Sequence, residues 1–371
     1  MKVTAPGKLM LSGEWSVLED GVPCVVMAID QKVSVDINSN SNIILSAKGT
    51  EFKSSAKFEN NTLILDSDDK SKEFFLFVAK SVEASLKYLN ESGVQTQNFS
   101  IETNSSDTVV ELPSGQKAKV GFGSSAAIVA ATVAAVLAFH KQDISSVKAK
   151  QNIFKLGCIA HFLAQGKIGS SFDVAASTFG GTLVYQKPDM SWVTTQLAFG
   201  KKISEVVNAN WPLLITEPIE LPKNFNLSIG FVGNSASTKE LILKLNTFKA
   251  EKKNDYDKII ASIKTITQKL INAIKENNQS EILDLLNTNR LELKLLSDSS
   301  QNNLETKELA LLADLAKLNG GAGKFSGAGG GDCGIAVSFD SDTKEKIEND
   351  WKQNNITPIN ANISKDGVLN V

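Results

Sequence analysis

Residues 120–139 read VGFGSSAAIVAATVAAVLAF, and the rest of the chain is read outward from this stretch. From Ala126 to Phe139 the run is apolar on every side of a 3.6-residue period, which predicts a helix buried at the centre of a domain. It falls well short of the ~20 apolar residues needed to span a bilayer. The run opens directly after Gly121, Gly123, Ser124 and Ser125. Glycines let a backbone approach an anion closely, and a helix N-terminus presents unbonded N–H groups at the positive end of its dipole. The pattern is neither GxxxxGK[ST], because no lysine follows the second glycine, nor GxGxxG. A glycine turn with a serine as helix N-cap fits these residues equally well.

Three other segments carry residues suited to chemistry. KFSGAGGGDCG, Lys324–Gly334, holds glycines at 327, 329, 330, 331 and 334. That density implies a backbone folded tightly against a ligand or another segment, since each glycine costs entropy on folding. Asp332 within it can hold a water or a metal, or bond loop amides. PGKLMLSGEW, Pro6–Trp15, places Lys8 between two glycines; the lysine either neutralises phosphate or is one more surface lysine. GKIGSSFDVAAS, Gly166–Ser177, puts Asp173 at a predicted helix start, as a dipole partner or as a group orienting a hydroxyl toward a phosphoryl group. His140, at the end of the apolar helix, reads as a favourable C-terminal charge, and His161 as a packed histidine. Neither a Ser/His/Asp order nor HExxH spacing is present, which removes serine hydrolases and zinc proteases.

Composition narrows the partners. Lys plus Arg total 39 against 41 Asp plus Glu, a net charge of −2, so no global field favours nucleic acid or an acidic membrane surface. Arg290 is the only arginine. A phosphate site must therefore use lysine, hydroxyls, backbone N–H groups and metal, without an arginine fork. Cys24, Cys158 and Cys333 are too scattered for a disulfide framework or a zinc cluster, and Lys8 and Glu14 interrupt any signal-peptide core. A cytoplasmic protein without nucleic-acid or membrane partners is expected.

The 371 residues suffice for about two domains at ~100–200 residues each. Strands are predicted at Val33–Ile37, Ile43–Ser46, Thr62–Leu65 and Phe99–Glu102, and helices at Phe74–Leu89 and Ile153–Gln165. Phe172–Tyr185 reads as a helix running into a strand through Gly180-Gly181. The Pro-punctuated stretch Trp211–Asn226 marks the domain change, giving units 1–205 and 206–371. Beyond it come a strand, Leu227–Val232, then helical periodicity over 259–274, Glu281–Leu296 and Leu304–Leu318. A glycine loop at 320–331 and a strand, Gly334–Phe339, follow, with a final helix and strand. The second half is expected to be an α+β sandwich with helices on one face.

Individually these glycine segments are unspecific; in this order they resemble the three signature motifs of the GHMP kinases, carried by PGKLMLSGEW, VGFGSSAA and SGAGGGDCG. Within that family, GKIGSSFDVAAS and the aspartate of SGAGGGDC look like the phosphomevalonate kinase subgroup. Trp211-Pro212, the Gly230, Gly233, Ala236, Ser237 pattern and GEWSVLEDGVP are similar to its bacterial members. The resemblance implies an α+β, two-domain GHMP kinase fold: an N-terminal ribosomal protein S5 domain 2-like unit and a C-terminal ferredoxin-like α/β sandwich. It implies ATP and Mg²⁺ as cofactors and 5-phosphomevalonate as phosphoryl acceptor. Gly121, Phe122, Gly123, Ser124, Ser125 and Ala126 would wrap the nucleotide phosphates. Lys8 and Asp173 would be the catalytic pair. Lys8, Gly13, Glu14, Lys167, Ser170, Ser171, Ser237, Ser326, Gly327 and Ala328 would hold the acceptor. Ser125 and Asp173 are the Mg²⁺ candidates, because His161 falls where mevalonate and homoserine kinases carry a metal-binding glutamate. Ser171 stands where relatives commonly have glycine. Mevalonate kinase activity, or a GHMP-fold binding module without catalysis, are the alternatives to this reading.

Overall fold

The computed structural model describes residues 1–111, 115, 117–166, 169–233 and 238–371. In chain order the first part contains β1 (Lys2–Ser12), β2 (Pro23–Ser39), β3 (Ile43–Ala47), β4 (Lys53–Glu59), β5 (Thr62–Asp66), α1 (Asp69–Phe74), α2 (Leu76–Glu91), β6 (Phe99–Asn104), β7 (Val109–Glu111) and β8 (Lys117–Lys119). Then come α3 (Ser124–Phe139), α4 (Val147–Ala164), α5 (Phe172–Phe179), β9 (Thr182–Gln186), α6 (Met190–Ala198), α7 (Ile203–Asn208) and β10 (Ile215–Pro218). The second part contains β11 (Asn226–Gly233), α8 (Thr238–Glu251), α9 (Lys253–Lys275), α10 (Gln279–Ser300), α11 (Lys307–Leu318), β12 (Ala322–Phe325), β13 (Asp332–Ser338), α12 (Ser341–Gln353), β14 (Thr357–Ile359) and β15 (Leu369–Asn370).

The first domain is built on β2, which pairs antiparallel with β1 along most of its length, with β9 at its start and with β6 at its end. The sheet runs β10-β9-β2-β6-β3-β4-β5, with β15 added outside β1. Alternation along the strands splits its two faces. Met10, Cys24 and Val26 point into a core shared with α2, α3, α4 and α5, whereas Leu9, Leu11, Val25, Met27 and Ile29 point the other way. Helix α3 lies inside that first core, as its all-round apolar sequence predicts, with Ala126, Val129, Ala130 and Val133 fully buried.

The second domain carries a four-stranded sheet, β12-β13-β11-β14. Its outer face packs on α11 and α12: Ala336 joins Leu312, Ile347 and Trp351, and a side chain at Gly230 would collide with Leu312, Ile356 and Trp351. Its inner face is also covered, a difference from helices on one face alone. Ile229, Ile335 and Val337 meet Leu270 and Ile274 of α9, Leu286 of α10, and Leu9, Leu11, Val25 and Met27 of the first sheet in one cluster. Each buried aliphatic contributes ~1.5–3 kcal/mol, so this shared core fastens the two sheets into one unit.

The chain crosses between domains later than residue 205, and twice. β10, at 215–218, is antiparallel to β9 in the first sheet. Its closing proline suits an edge strand, where a missing N–H does no harm. At the other end, β15 returns to β1 and Ile363 bridges Ile29. Beyond the expected division at 205/206, β10 and β15 pair within the first sheet, and Val206, Val207 and Trp211 pack into the core beneath it. Among the described residues no helix is long and apolar enough to cross a membrane, and all three cysteines are free and buried.

Candidate active site

The sequence motifs meet at the end of β1. A register shift between Pro6 and Gly7 breaks the β1–β2 pairing just before Lys8, and such bulges re-aim the side chains that follow. Gly7 lets the phosphate-loop backbone press on the strand, for an added Cβ would stand 2.8 Å from the Phe122 carbonyl oxygen. The Lys8 N–H donates to that same carbonyl at 2.8 Å. The Lys8 ammonium, 9% exposed, donates to the Gly121 carbonyl at 2.9 Å and stands 5.9 Å from the Phe172 ring centre.

Two helix N-termini face the same space. Gly123 immediately precedes α3 in the left-handed conformation, φ 74°, and the helix has no side-chain cap. This replaces the serine-cap alternative: the first-turn N–H groups keep no capping side chain and remain available to an anion. A Cβ at Gly123 would sit 3.0 Å from two carbons of Lys8, so glycine is required by both conformation and space. Ser171 precedes α5 at φ 60°, also left-handed and also without a side-chain cap. Tyr185 of β9 holds this turn by donating from its hydroxyl to the Ser170 carbonyl at 2.5 Å. Asp173 lies in the first turn of α5, one carboxylate oxygen accepting from the Val174 N–H at 2.9 Å.

The second domain closes the space with its glycine loop. Asp332, at φ 64°, accepts from the Gly121 N–H at 2.9 Å. Burial pushes its carboxyl above the usual range, while the Gly121 bond and the Lys8 charge pull it back. Behind it, Lys324 forms a fully buried ion pair with Glu14 and also donates to the Phe325 carbonyl. Burial drives Glu14 up and Lys324 down from their ordinary values, and each charge opposes the other's shift.

The result is a cleft of about 690 Å³ lined by Lys8, Glu14, Trp15, Gly121, Gly123, Ser124, Ser125, Ser170, Ser171, Asp173, Gly327, Ala328 and Asp332, among others. Of the expected site residues, Gly13, Phe122, Ala126 and Ser326 stand behind this wall. Gly13 adopts φ 100° against Cys24, and Phe122 and Ala126 are fully buried. The Ser326 hydroxyl is committed to β1: it accepts from the Met10 N–H at 2.8 Å and lies 3.1 Å from the Met10 carbonyl. Lys167 and Ser237 lie outside the described residues.

The histidines take no part in the cleft wall. His140 is buried, with Nδ1 2.8 Å from the Val136 carbonyl and Nε2 accepting from the Gln97 N–H at 3.0 Å, so its ring bridges the end of α3 to the segment before β6. His161 packs 5.2 Å from the Phe77 ring centre, and burial lowers its pKa below the usual 6.5. Neither Lys324 nor Tyr185 was among the expected site residues. Lys324 had a signal, a single charge within the otherwise apolar AGKF of β12; Tyr185 had none.

A divalent cation fits the donors present. Among the described residues no three His, Cys, Asp or Glu side chains gather into an all-protein cage. The cleft wall instead carries the carboxylates of Asp173 and Asp332 and the hydroxyls of Ser124 and Ser125. Few hard oxygen donors beside a phosphate site suit Mg²⁺, which keeps waters and shares phosphate oxygens.

Comparison with known proteins agrees with this architecture. The family models described as GHMP kinases N terminal domain and GHMP kinases C terminal match residues 77–181 and 270–357. The chain belongs to the GHMP kinases and has their two-domain fold. It is 29% identical to a phosphomevalonate kinase of Streptomyces sp. (strain CL190), covering 98% of this chain and 97% of that protein. It is 26% identical to a mevalonate kinase of Thermococcus sibiricus over 98% and 96%. Among solved structures, a Lin0012 protein from Listeria innocua superposes with a TM-score of 0.90 at 28% identity, both chains covered completely. Streptococcus pneumoniae phosphomevalonate kinase, in complex with phosphomevalonate and AMPPNP, superposes at 0.82 with 21% identity, over 98% and 99% of the two chains.

Proposed function

We propose that this kinase transfers the γ-phosphoryl group of ATP to 5-phosphomevalonate, giving ADP and 5-diphosphomevalonate, in the cytoplasm and within the mevalonate route to isoprenoids. The observation that carries the reading is the position of Lys8. Its ammonium rests on the phosphate-loop carbonyl of Gly121, and a Cβ on Gly327 of the opposing glycine loop would lie 3.7 Å from it. A cation between two anion-binding loops is what a reaction between two phosphorylated molecules demands. At ~4 Å and an effective dielectric constant near 20, each unit charge pair is worth about 4 kcal/mol.

The acceptor is a phosphate already ionised near neutral pH, so no strong base is needed. One of its oxygens bonds to the γ-phosphorus as the bond to the β,γ-bridging oxygen breaks, and ADP departs. The free N–H groups at Gly123–Ala126 bind nucleotide phosphates, Lys8 offsets the repulsion between donor and acceptor, and Asp173 orients the acceptor oxygen. Ser170, Ser171, Glu14, Gly327 and Ala328 shape the acceptor side. Asp173 and the Ser125 hydroxyl would hold Mg²⁺ on the cleft wall, where the cation would supply further charge neutralisation. The Streptomyces relative supports this acceptor over others.

A second reading, phosphorylation of the mevalonate hydroxyl, is favoured by similarity to mevalonate kinases only slightly lower, at 26% identity. An ADP-release assay with mevalonate, 5-phosphomevalonate and 5-diphosphomevalonate separates the two. Turnover with 5-phosphomevalonate is expected; turnover confined to mevalonate rejects the proposed acceptor.

A further inference from the structure

Asp332 of the second domain bonds directly to the glycine loop that the proposed function assigns to nucleotide phosphates. Gly121 and Asp332 both line the cleft, and the Gly121 N–H donates to the Asp332 carboxylate at 2.9 Å. The approach is close: a Cβ on Gly121 would fall 1.7 Å from the second carboxylate oxygen, so a larger residue there would displace the Asp332 side chain. Asp332 itself is held in place. It sits at φ 64° where β13 begins, it opposes Gly233 across a register shift, and the Cys333 thiol lies 3.5 Å from its Oδ1. Both Asp332 and Lys8 line the same cleft, and the two act on each other electrostatically.

A carboxylate at this point has a definite consequence. A bare polyphosphate approaching the loop meets a carboxylate that already holds one of the N–H donors and repels it. A nucleotide arriving with a divalent cation carries less net negative charge, and the same carboxylate attracts the cation across the cleft. We propose that Asp332 is the residue that makes nucleotide binding at the phosphate loop depend on a divalent cation. The carboxylate penalises metal-free nucleotide and rewards the metal complex, so that neither is held productively without the other. This rests on the reading of the Gly121–Ser125 loop as the nucleotide phosphate site, and it assigns a binding role to a carboxylate of the second domain.

Equilibrium binding of AMPPNP, followed by calorimetry with Mg²⁺ and with EDTA, tests this without any turnover. Asp332→Asn keeps an acceptor for the Gly121 N–H and removes the charge. Asp332→Gly removes the side chain at a backbone position that glycine adopts freely. For the wild type, Mg²⁺ is expected to tighten binding on the order of 100-fold. In both variants metal-free binding should tighten by at least ~10-fold and Mg²⁺-dependent binding should weaken, bringing the two affinities together. Thermal unfolding of each variant checks that the fold survives; should Asn fail, Gly carries the test. If metal-free affinity in a folded variant stays at the wild-type level, the role assigned to Asp332 is overturned while the phosphate site stands. If wild-type protein binds no AMPPNP with Mg²⁺ present, the phosphate-site reading itself falls, and this inference with it.

Discussion

Replacing Lys324 by methionine should expose how much the buried ion pair beneath the cleft contributes. Glu14 and Lys324 are each 1% exposed. The exchange leaves the Glu14 carboxylate in a dry site, and breaking a buried pair in this way costs ~3–5 kcal/mol. The structure offers one escape: the carboxyl takes up a proton. Raising its protonation from an ordinary value of 4.5 to neutral pH costs about 3.4 kcal/mol at 1.36 kcal/mol per unit, which falls inside that range. The escape also fixes the sign of the pH dependence. In the variant the folded chain holds a proton at Glu14 that the unfolded chain lacks above pH 4.5, so stability drops as pH rises, by about 1.4 kcal/mol per unit. Urea unfolding at pH 5, 6 and 7 should therefore show a deficit against wild type that grows from below 1 to about 3.4 kcal/mol. A Glu14→Leu, Lys324→Met double variant should recover most of it, since apolar replacement of a whole buried pair is close to neutral. A deficit independent of pH, or a double variant that loses the sum of the two singles, would refute the reasoning.

Further expectations concern single groups. Lys8→Met should lower kcat/KM by roughly 100–1000-fold, from the loss of ~3–4 kcal/mol of charge neutralisation; Arg290 cannot replace it, being engaged by Glu305 and Asp314 at 2.7 and 2.6 Å. Asp173→Asn should cut kcat by at least ~100-fold with little change in nucleotide affinity measured by calorimetry, and unchanged turnover would remove its orienting role. Ser171→Gly should stabilise the chain by up to ~1 kcal/mol in urea unfolding, because it relieves a left-handed backbone at φ 60°; a loss of stability would contradict that. His161, buried with a lowered pKa, takes up a proton less readily than the unfolded chain does as pH falls below 6.5. Stability should thus decline from pH 6.5 downward, and His161→Gln should remove up to ~1 kcal/mol of that decline between pH 6.5 and 5.5.

The parts of the fold that were legible in the sequence are those where one physical requirement dominated. Helix α3 was readable because burial on all sides leaves no polar stripe, and α9 because its isoleucines keep helical spacing toward one core. β1 was hard to read as a strand because Pro6 and Gly7 interrupt it; the register shift between them is a tertiary accommodation to Phe122. β12 was hidden inside the glycine-rich stretch at 320–331, being four residues long and containing a lysine whose burial makes sense only with Glu14 beside it. β10 was read as linker because its pairing partner, β9, lies about 30 residues away and supplies what its own sequence lacks. The cleft was legible as a set of glycine segments, because close backbone approach leaves glycine as a mark. Which atoms touch was not. Ser326 bonding Met10 instead of facing the cleft, and Asp332 bonding Gly121, depend on how the two domains dock.

The central claim is that Lys8 lies between two anionic reactants. A crystal structure with AMPPNP, Mg²⁺ and 5-phosphomevalonate bound together tests it directly. The account predicts that the Lys8 ammonium leaves the Gly121 carbonyl and stands within hydrogen-bond distance of oxygens from both phosphate groups. Lys8 still bonded to Gly121, with both ligands seated and neither touching it, would contradict the account.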